Sequence, residues 1–61
     1  MKINRFDVVE LYNGNKATIL DFKDKEYYAE IVDREGNTID YRNISDAEIK
    51  EILISKNKLI K

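Results

Sequence analysis

The stretch that most restricts the fold is Tyr27 to Arg42, YYAEIVDREGNTIDYR. It reads as a β-hairpin. Apolar and charged residues alternate on both sides of Asp33-Arg34-Glu35-Gly36-Asn37, and Gly36 accepts the positive φ that tight turns need. Residues directly opposite in an antiparallel pair share a face. A two-residue loop would set Ile31 against Asp40 and mix the faces. A three-residue loop, Arg34-Glu35-Gly36, predicts Ile31 opposite Ile39, Ala29 opposite Tyr41, Glu30 opposite Asp40 and Tyr28 opposite Arg42. It also places Gly36 at the left-handed position of a type I turn with a G1 bulge.

The flanking segments extend this pattern. Phe6 to Tyr12, FDVVELY, is β-branched and aromatic and reads as a strand with Val9 and Leu11 inward, leaving Phe6 and Val8 on the other side. Met1 to Arg5 reads as a polar lead. Asn13-Gly14-Asn15 is a turn signal. Lys16 to Phe22, KATILDF, is a second strand in which an outward Asp21 predicts Thr18, Leu20 and Phe22 inward; Ile19 does not fit that phase. The charged Lys23-Asp24-Lys25-Glu26 then serves as a four-residue loop that pairs Phe22 with Tyr27 and Leu20 with Ala29. After Arg42 the alternation breaks. Ser45 with Glu48 three residues on is a capping box that starts a helical turn. Ile49, Ile52 and Leu53 fit helical spacing, but the β-branched Ile49, Ile52 and Ile54 favour a strand over 50–54. Lys56 to Lys61 reads as a basic tail.

The expected fold is therefore all-β, a five-stranded small barrel over residues 1–61 with strands near 6–12, 16–22, 27–33, 38–43 and 50–54 and one helical turn before the last. Closing such a sheet on itself would hide most edges. The alternative is a four-stranded antiparallel sheet with a C-terminal α-helix. Asp7-Val8-Val9-Glu10-Leu11, Ala17-Thr18-Ile19-Leu20, Tyr28-Ala29-Glu30-Ile31-Val32-Asp33 with Glu35-Gly36, and Ile44-Ser45-Asp46-Ala47-Glu48-Ile49 together resemble a bacterial family of roughly sixty-residue SH3-like barrels. That family carries a DVV-x-L start, a GTVVEV-like second strand, a Y-x-V-E-F-V-D-x-x-G hairpin and an L-S-x-x-x-L ending. The resemblance spans Asp7 to Ile49 and departs at Ala17, where the family has glycine, and in the Lys- and Ile-rich end. It implies an SH3-like fold, distantly similar to KOW modules of ribosomal and transcription proteins, and no particular activity.

Composition narrows the chemistry. The 61 residues hold 11 basic and 12 acidic side chains, a net charge of −1 that gives a polyanion little to attract. With no cysteine there is neither a disulfide framework nor a thiolate metal site. With no histidine either, the side chains that most often carry acid–base and nucleophilic work near neutral pH are missing. Ser45 is accounted for as a cap. Phosphate loops, dinucleotide fingerprints and calcium loops are absent from the sequence. The expectation is a protein that is no enzyme and has no cofactor or metal; Glu30 facing Asp40 is one carboxylate pair that a divalent cation could bridge, but two carboxylates alone make a poor oxygen site and read as solvated. No run of about 18 apolar residues marks a membrane span and no apolar leader follows Met1, so the expected setting is cytoplasmic.

Two groups of side chains are candidate partner-binding residues. Tyr12 and Tyr28 point away from the core by parity, with Arg42 beside Tyr28, while Tyr27 and Tyr41 point into it. Asn13, Asn15, Lys16, Lys23 and Lys25 fall in the loops, near the rim that SH3-like barrels use for binding. These support a small protein-interaction module, monomeric or weakly dimeric, with a protein partner. The alternatives are a small inhibitor (an immunity, antitoxin or anti-defence protein) and a KOW- or Tudor-like nucleic-acid accessory domain using the loop lysines.

Overall fold

A computed structural model describes residues 2–55. Five antiparallel strands form one sheet: β1 (Val8–Leu11), β2 (Lys16–Lys23), β3 (Glu26–Val32), β4 (Thr38–Ser45) and β5 (Ile49–Ile54), with a 3-10 turn at Asp46–Glu48 between the last two. The strand order is β4-β3-β2-β1-β5. The all-β, five-stranded expectation holds, and the alternative of a four-stranded sheet with a C-terminal α-helix does not. Among the described residues the expected closure is not reached in the ladder, because β4 and β5 are both edge strands. Lys56 to Lys61, expected to form a basic tail, lie outside the described residues.

The core comprises Ile3, Val9, Leu11, Ala17, Ile19, Tyr27, Ala29, Ile31, Ile44 and Ile49, with Ile52 packed against it. Ile3 was expected in a polar lead and instead belongs here. The chain reaches it through a tight turn that shortens β1. Phe6 has φ of 72°, its N–H donates to the Ile19 carbonyl at 2.6 Å, and Asp7 N–H donates to Asn4 O at 3.1 Å. The Asp7 carboxylate, fully buried, accepts the Asn4 N–H at 2.9 Å. Polar pairing of this kind makes a buried carboxylate tolerable.

Three strands carry extra residues: β5 at Lys50 and Leu53 against β1, and β2 and β4, where the extra residue changes the expected phase. On β2, Ile19 pairs with Ala29 but Asp21 pairs with Tyr28, so Leu20 is the bulged residue. A bulge resets the alternation by one. Ala17 and Ile19 therefore face the core, where Thr18 and Leu20 were expected, while Phe22 still pairs with Tyr27 as expected. Their rings meet edge to face, 6.4 Å between centroids. On β4, Val32 pairs with Thr38 but Ile31 pairs with Asp40, so Ile39 is bulged. The expected Ile31–Ile39, Ala29–Tyr41, Glu30–Asp40 and Tyr28–Arg42 pairs become Ile31–Asp40, Ala29–Arg42, Glu30–Tyr41 and Tyr28–Asn43. The cause is a parity conflict. Ile39 and Tyr41 lie on one face of a regular strand and Ile44 on the other, and only one set can face inward. Ile44 faces inward because it lies opposite Tyr27, a core residue of β3.

The turns follow their chemistry. Asp33 N–H donates to Asn37 O at 2.9 Å and Gly36 N–H to Asp33 O at 3.1 Å, enclosing the three-residue loop, with Gly36 at φ 92°. The β2–β3 connection is tighter than expected, since Lys23 pairs with Glu26 and only Asp24-Lys25 form the loop. Asp24 takes φ of 58° there.

Substitutions at two positions, Gly36 and Asp24, test these turns. A Cβ at Gly36 would meet nothing within 4 Å, so the cost of Gly36→Val is backbone strain alone, about 1–2 kcal/mol, and Gly36→Asn costs less. Asp24→Gly removes a strain that is already present and raises stability by about 0.5–1 kcal/mol. Urea denaturation midpoints should move in opposite directions; unchanged midpoints would contradict the turn assignments.

Candidate functional site

The outer face of β2–β3–β4 is organised in rows fixed by the register. Asp21, Tyr28 and Asn43 form one row; Thr18, Glu30 and Tyr41 form the next. Tyr28 and Tyr41 are thus diagonal neighbours, a relation that sets Cα atoms about 7–8 Å apart. Both rings are open to solvent, at 43% and 54% exposure. Between them, Glu30 is held by the Thr38 hydroxyl, which donates to its carboxylate. A cleft of about 350 Å³ opens beside Tyr28 and Asn43, walled by Asp21, Lys23, Asp24 and Glu26. Its wall carries three carboxylates and one ammonium, and Arg5 pairs with one of the three, so it stays mildly acidic. Asp21 is anchored by Arg5, whose Nη2 donates at 2.9 Å, and this bond, with the Phe22 N–H, holds the Asp21 carboxyl below its ordinary value. Arg5 also lies 5.8 Å from the centre of the Phe22 ring.

A second recess, about 260 Å³, lies between the β1–β2 loop and the 3-10 turn. Tyr12, 70% exposed, and Asn13 line it with Leu11, Ala47 and Glu48. The loop is shaped internally. Tyr12 N–H donates to Glu48 O at 3.1 Å, and Asn13 Oδ1 accepts the Asn15 N–H at 2.9 Å. Gly14 has φ of 96°, and a Cβ there would run into the Arg34 guanidinium of the β3–β4 turn.

The expected site residues therefore separate. Lys16 begins β2 and Lys23 ends it, so seven rises of strand hold the two about 20 Å apart. Asn13, Asn15 and Lys16 stand at one end of the sheet, Lys23 and Lys25 at the other; the basic rim expected of the loops does not exist as one surface. Tyr12 and Tyr28 are exposed, as expected, but belong to different recesses. Arg42 does not accompany Tyr28. It lies across from Ala29, and its Nη2 pairs with Glu48 Oε1 at 3.0 Å. Tyr41, expected in the core, is the aromatic neighbour that Tyr28 has instead. Its exposure was hidden by the β4 bulge, and the one available signal was that Ile44 falls on the opposite parity. Among the described residues no group of three or more acidic side chains is placed to hold a metal ion, and no helix is long and apolar enough to cross a membrane.

The strand-to-turn corner is tied by polar contacts. Tyr27 is nearly buried, and its hydroxyl donates to Asp46 Oδ1 at 2.7 Å. Burial, with the Asp46 carboxylate, pushes the phenol above its ordinary value. Ser45 N–H donates to Glu48 Oε2 at 3.1 Å, the reciprocal arm of the expected capping box. Glu48 thus serves Arg42 and Ser45 at once, and the Arg42 bond foremost holds its carboxyl below the ordinary value of 4.5.

No family model, curated protein or solved structure matches the chain.

Acid titration tests the corner. A carboxyl with a lowered folded value stabilises the fold above its unfolded value and loses that contribution as pH falls through the folded one. Stability should hold above about pH 4.5 and decline below it, and Glu48→Gln should make the decline shallower. An acid limb that is the same in both chains would remove Glu48 from this role.

Proposed function

We propose that the chain is a non-enzymatic protein-interaction module whose partner surface is the outer face of β2–β4 around Tyr28 and Tyr41. The observation that carries the reading is the adjacency of two half-exposed tyrosines on a rigid sheet, bordered by an acidic cleft. Tyrosine is enriched at protein interfaces because its ring gives large contact area at small entropic cost while its hydroxyl satisfies polar partners. The carboxylates beside Tyr28 favour a partner segment carrying lysine or arginine. They also weigh against phosphates at this cleft, and the separated lysines offer no continuous track for a nucleic-acid backbone.

Tyr28→Ala and Tyr41→Ala should each abolish capture of a partner from native cells, while thermal melting stays within a few degrees of the unsubstituted chain. Tyr12→Ala, in the other recess, should leave capture intact. Capture that depends on Tyr12 alone would move the site to the 3-10 turn. Sub-micromolar RNA binding that weakens steeply with salt would overturn the reading in favour of the lysines.

A further inference from the structure

Among the described residues no strand pairs with the outer edge of β4, and that edge has a charge pattern that matches itself. Its backbone direction follows from the ladder. Ile19 N–H donates to Asp7 O and Leu11 N–H to Asn15 O, so odd-numbered residues at this end of β2 face β1. Neighbouring residues in an antiparallel strand turn their backbone groups to opposite sides, so Lys16 and Thr18 face β3. Their partners Val32 and Glu30 face back, which leaves Ala29 and Ile31 facing β4. These pair with Arg42 and Asp40. Tyr41 and Asn43 therefore present their N–H and C=O groups to the open edge.

Those groups are covered by neighbouring charged side chains. Asp40 Oδ1 accepts the Tyr41 N–H at 2.8 Å, and Arg42 Nη1 donates to Asn43 O at 3.2 Å. An ion is spent on a neutral amide in one case and on a neutral carbonyl in the other. Asp40 and Arg42 flank Tyr41 symmetrically with opposite charge. A two-fold axis through Tyr41 would bring each carboxylate opposite the guanidinium of the other copy.

We propose that β4 pairs antiparallel with β4 of a second copy of this chain about such an axis. The Tyr41 N–H and C=O groups of the two copies then bond each other. Asn43 O is satisfied by the neighbouring backbone. The released Asp40 and Arg42 form two ion pairs across the seam, while Arg42 Nη2 keeps Glu48. An isologous contact of this kind requires a self-complementary surface, and the Asp40–Tyr41–Arg42 order provides it. The two Tyr41 rings meet on the outer face beside the axis. The contact needs no other partner; it is made by the backbone edge of β4 with Asp40 and Arg42, whereas capture uses the Tyr28 and Tyr41 rings, so the charge reversals test the one and Tyr28→Ala the other.

The test uses the purified chain. Sedimentation equilibrium at rising concentration should show the unsubstituted chain passing from monomer to dimer. Asp40→Arg gives a chain with two cations flanking Tyr41, and Arg42→Asp a chain with two anions. Each alone should dimerise about tenfold more weakly or worse, and an equimolar mixture should recover a mixed dimer. Because Arg42→Asp also removes the Glu48 pair, each variant is first shown to be folded by circular dichroism. Should it fail there, oxidation of Tyr41→Cys decides the matter. The chain has no cysteine, and across a two-fold at Tyr41 the Cα atoms would stand about 5.5 Å apart, within disulfide reach. Tyr41→Cys should crosslink at least tenfold faster than Tyr12→Cys. Equal crosslinking rates, a dimer indifferent to both charge reversals, or a strict monomer at millimolar concentration would each overturn the proposal.

Discussion

The fold depends on the bulge at Leu20. Without it, a strictly alternating β2 could bury Ala17 and Ile19 or could stack Phe22 on Tyr27, but not both. With it, the strand changes phase between Ile19 and Asp21. The first half fills the core and the second half seats an aromatic pair at its margin. Extra residues also increase local twist. Two bulged strands either side of β3 let a sheet of five short strands wrap one core, so that the described part of the chain builds its interior without a second layer or a disulfide.

Much of this was legible where local chemistry leaves one answer. Gly36 in its three-residue loop, Val9 and Leu11 inward, Phe22 against Tyr27, and Ser45 with Glu48 all follow from residue type and spacing over a few positions. What was not legible is where alternation fails. The sequence does flag the failures on β2 and β4, though not those on β5. Ile19 has the wrong parity for a strand with Leu20 and Phe22 inward, and Ile44 has the wrong parity for one with Ile39 and Tyr41 inward. Each conflict is the mark of a bulge, but its position is settled by packing from other strands. Ile44 lies opposite the core residue Tyr27 of β3, which is not on its own strand.

The site suffered twice from the same cause. Assigning Tyr41 to the core removed the aromatic neighbour of Tyr28, and assigning Arg42 to the outer face supplied a false one. The loop lysines failed for a simpler reason. Loops adjacent in sequence lie at opposite ends of the strand between them, so Lys16 and Lys23 could not share a rim once β2 ran the full eight residues. Net charge could rank partner classes but could not place a single charge.

Placement of charge is also what governs the edges. Tyr41 N–H, Asn43 O and Ser45 N–H are covered by Asp40, Arg42 and Glu48, and Glu48 in turn holds Arg42. Exposed strand edges invite indiscriminate pairing, and charged side chains are a common means of suppressing it. Here the covering groups are polar contacts at the surface, worth little individually and easily exchanged. An edge covered this way is closed to a neutral or mismatched strand, which cannot compensate the displaced ions. It is open to a strand that carries the opposite charges in the opposite order. The same residues that protect β4 therefore also determine what it accepts, and a second β4 is one sequence that meets the requirement.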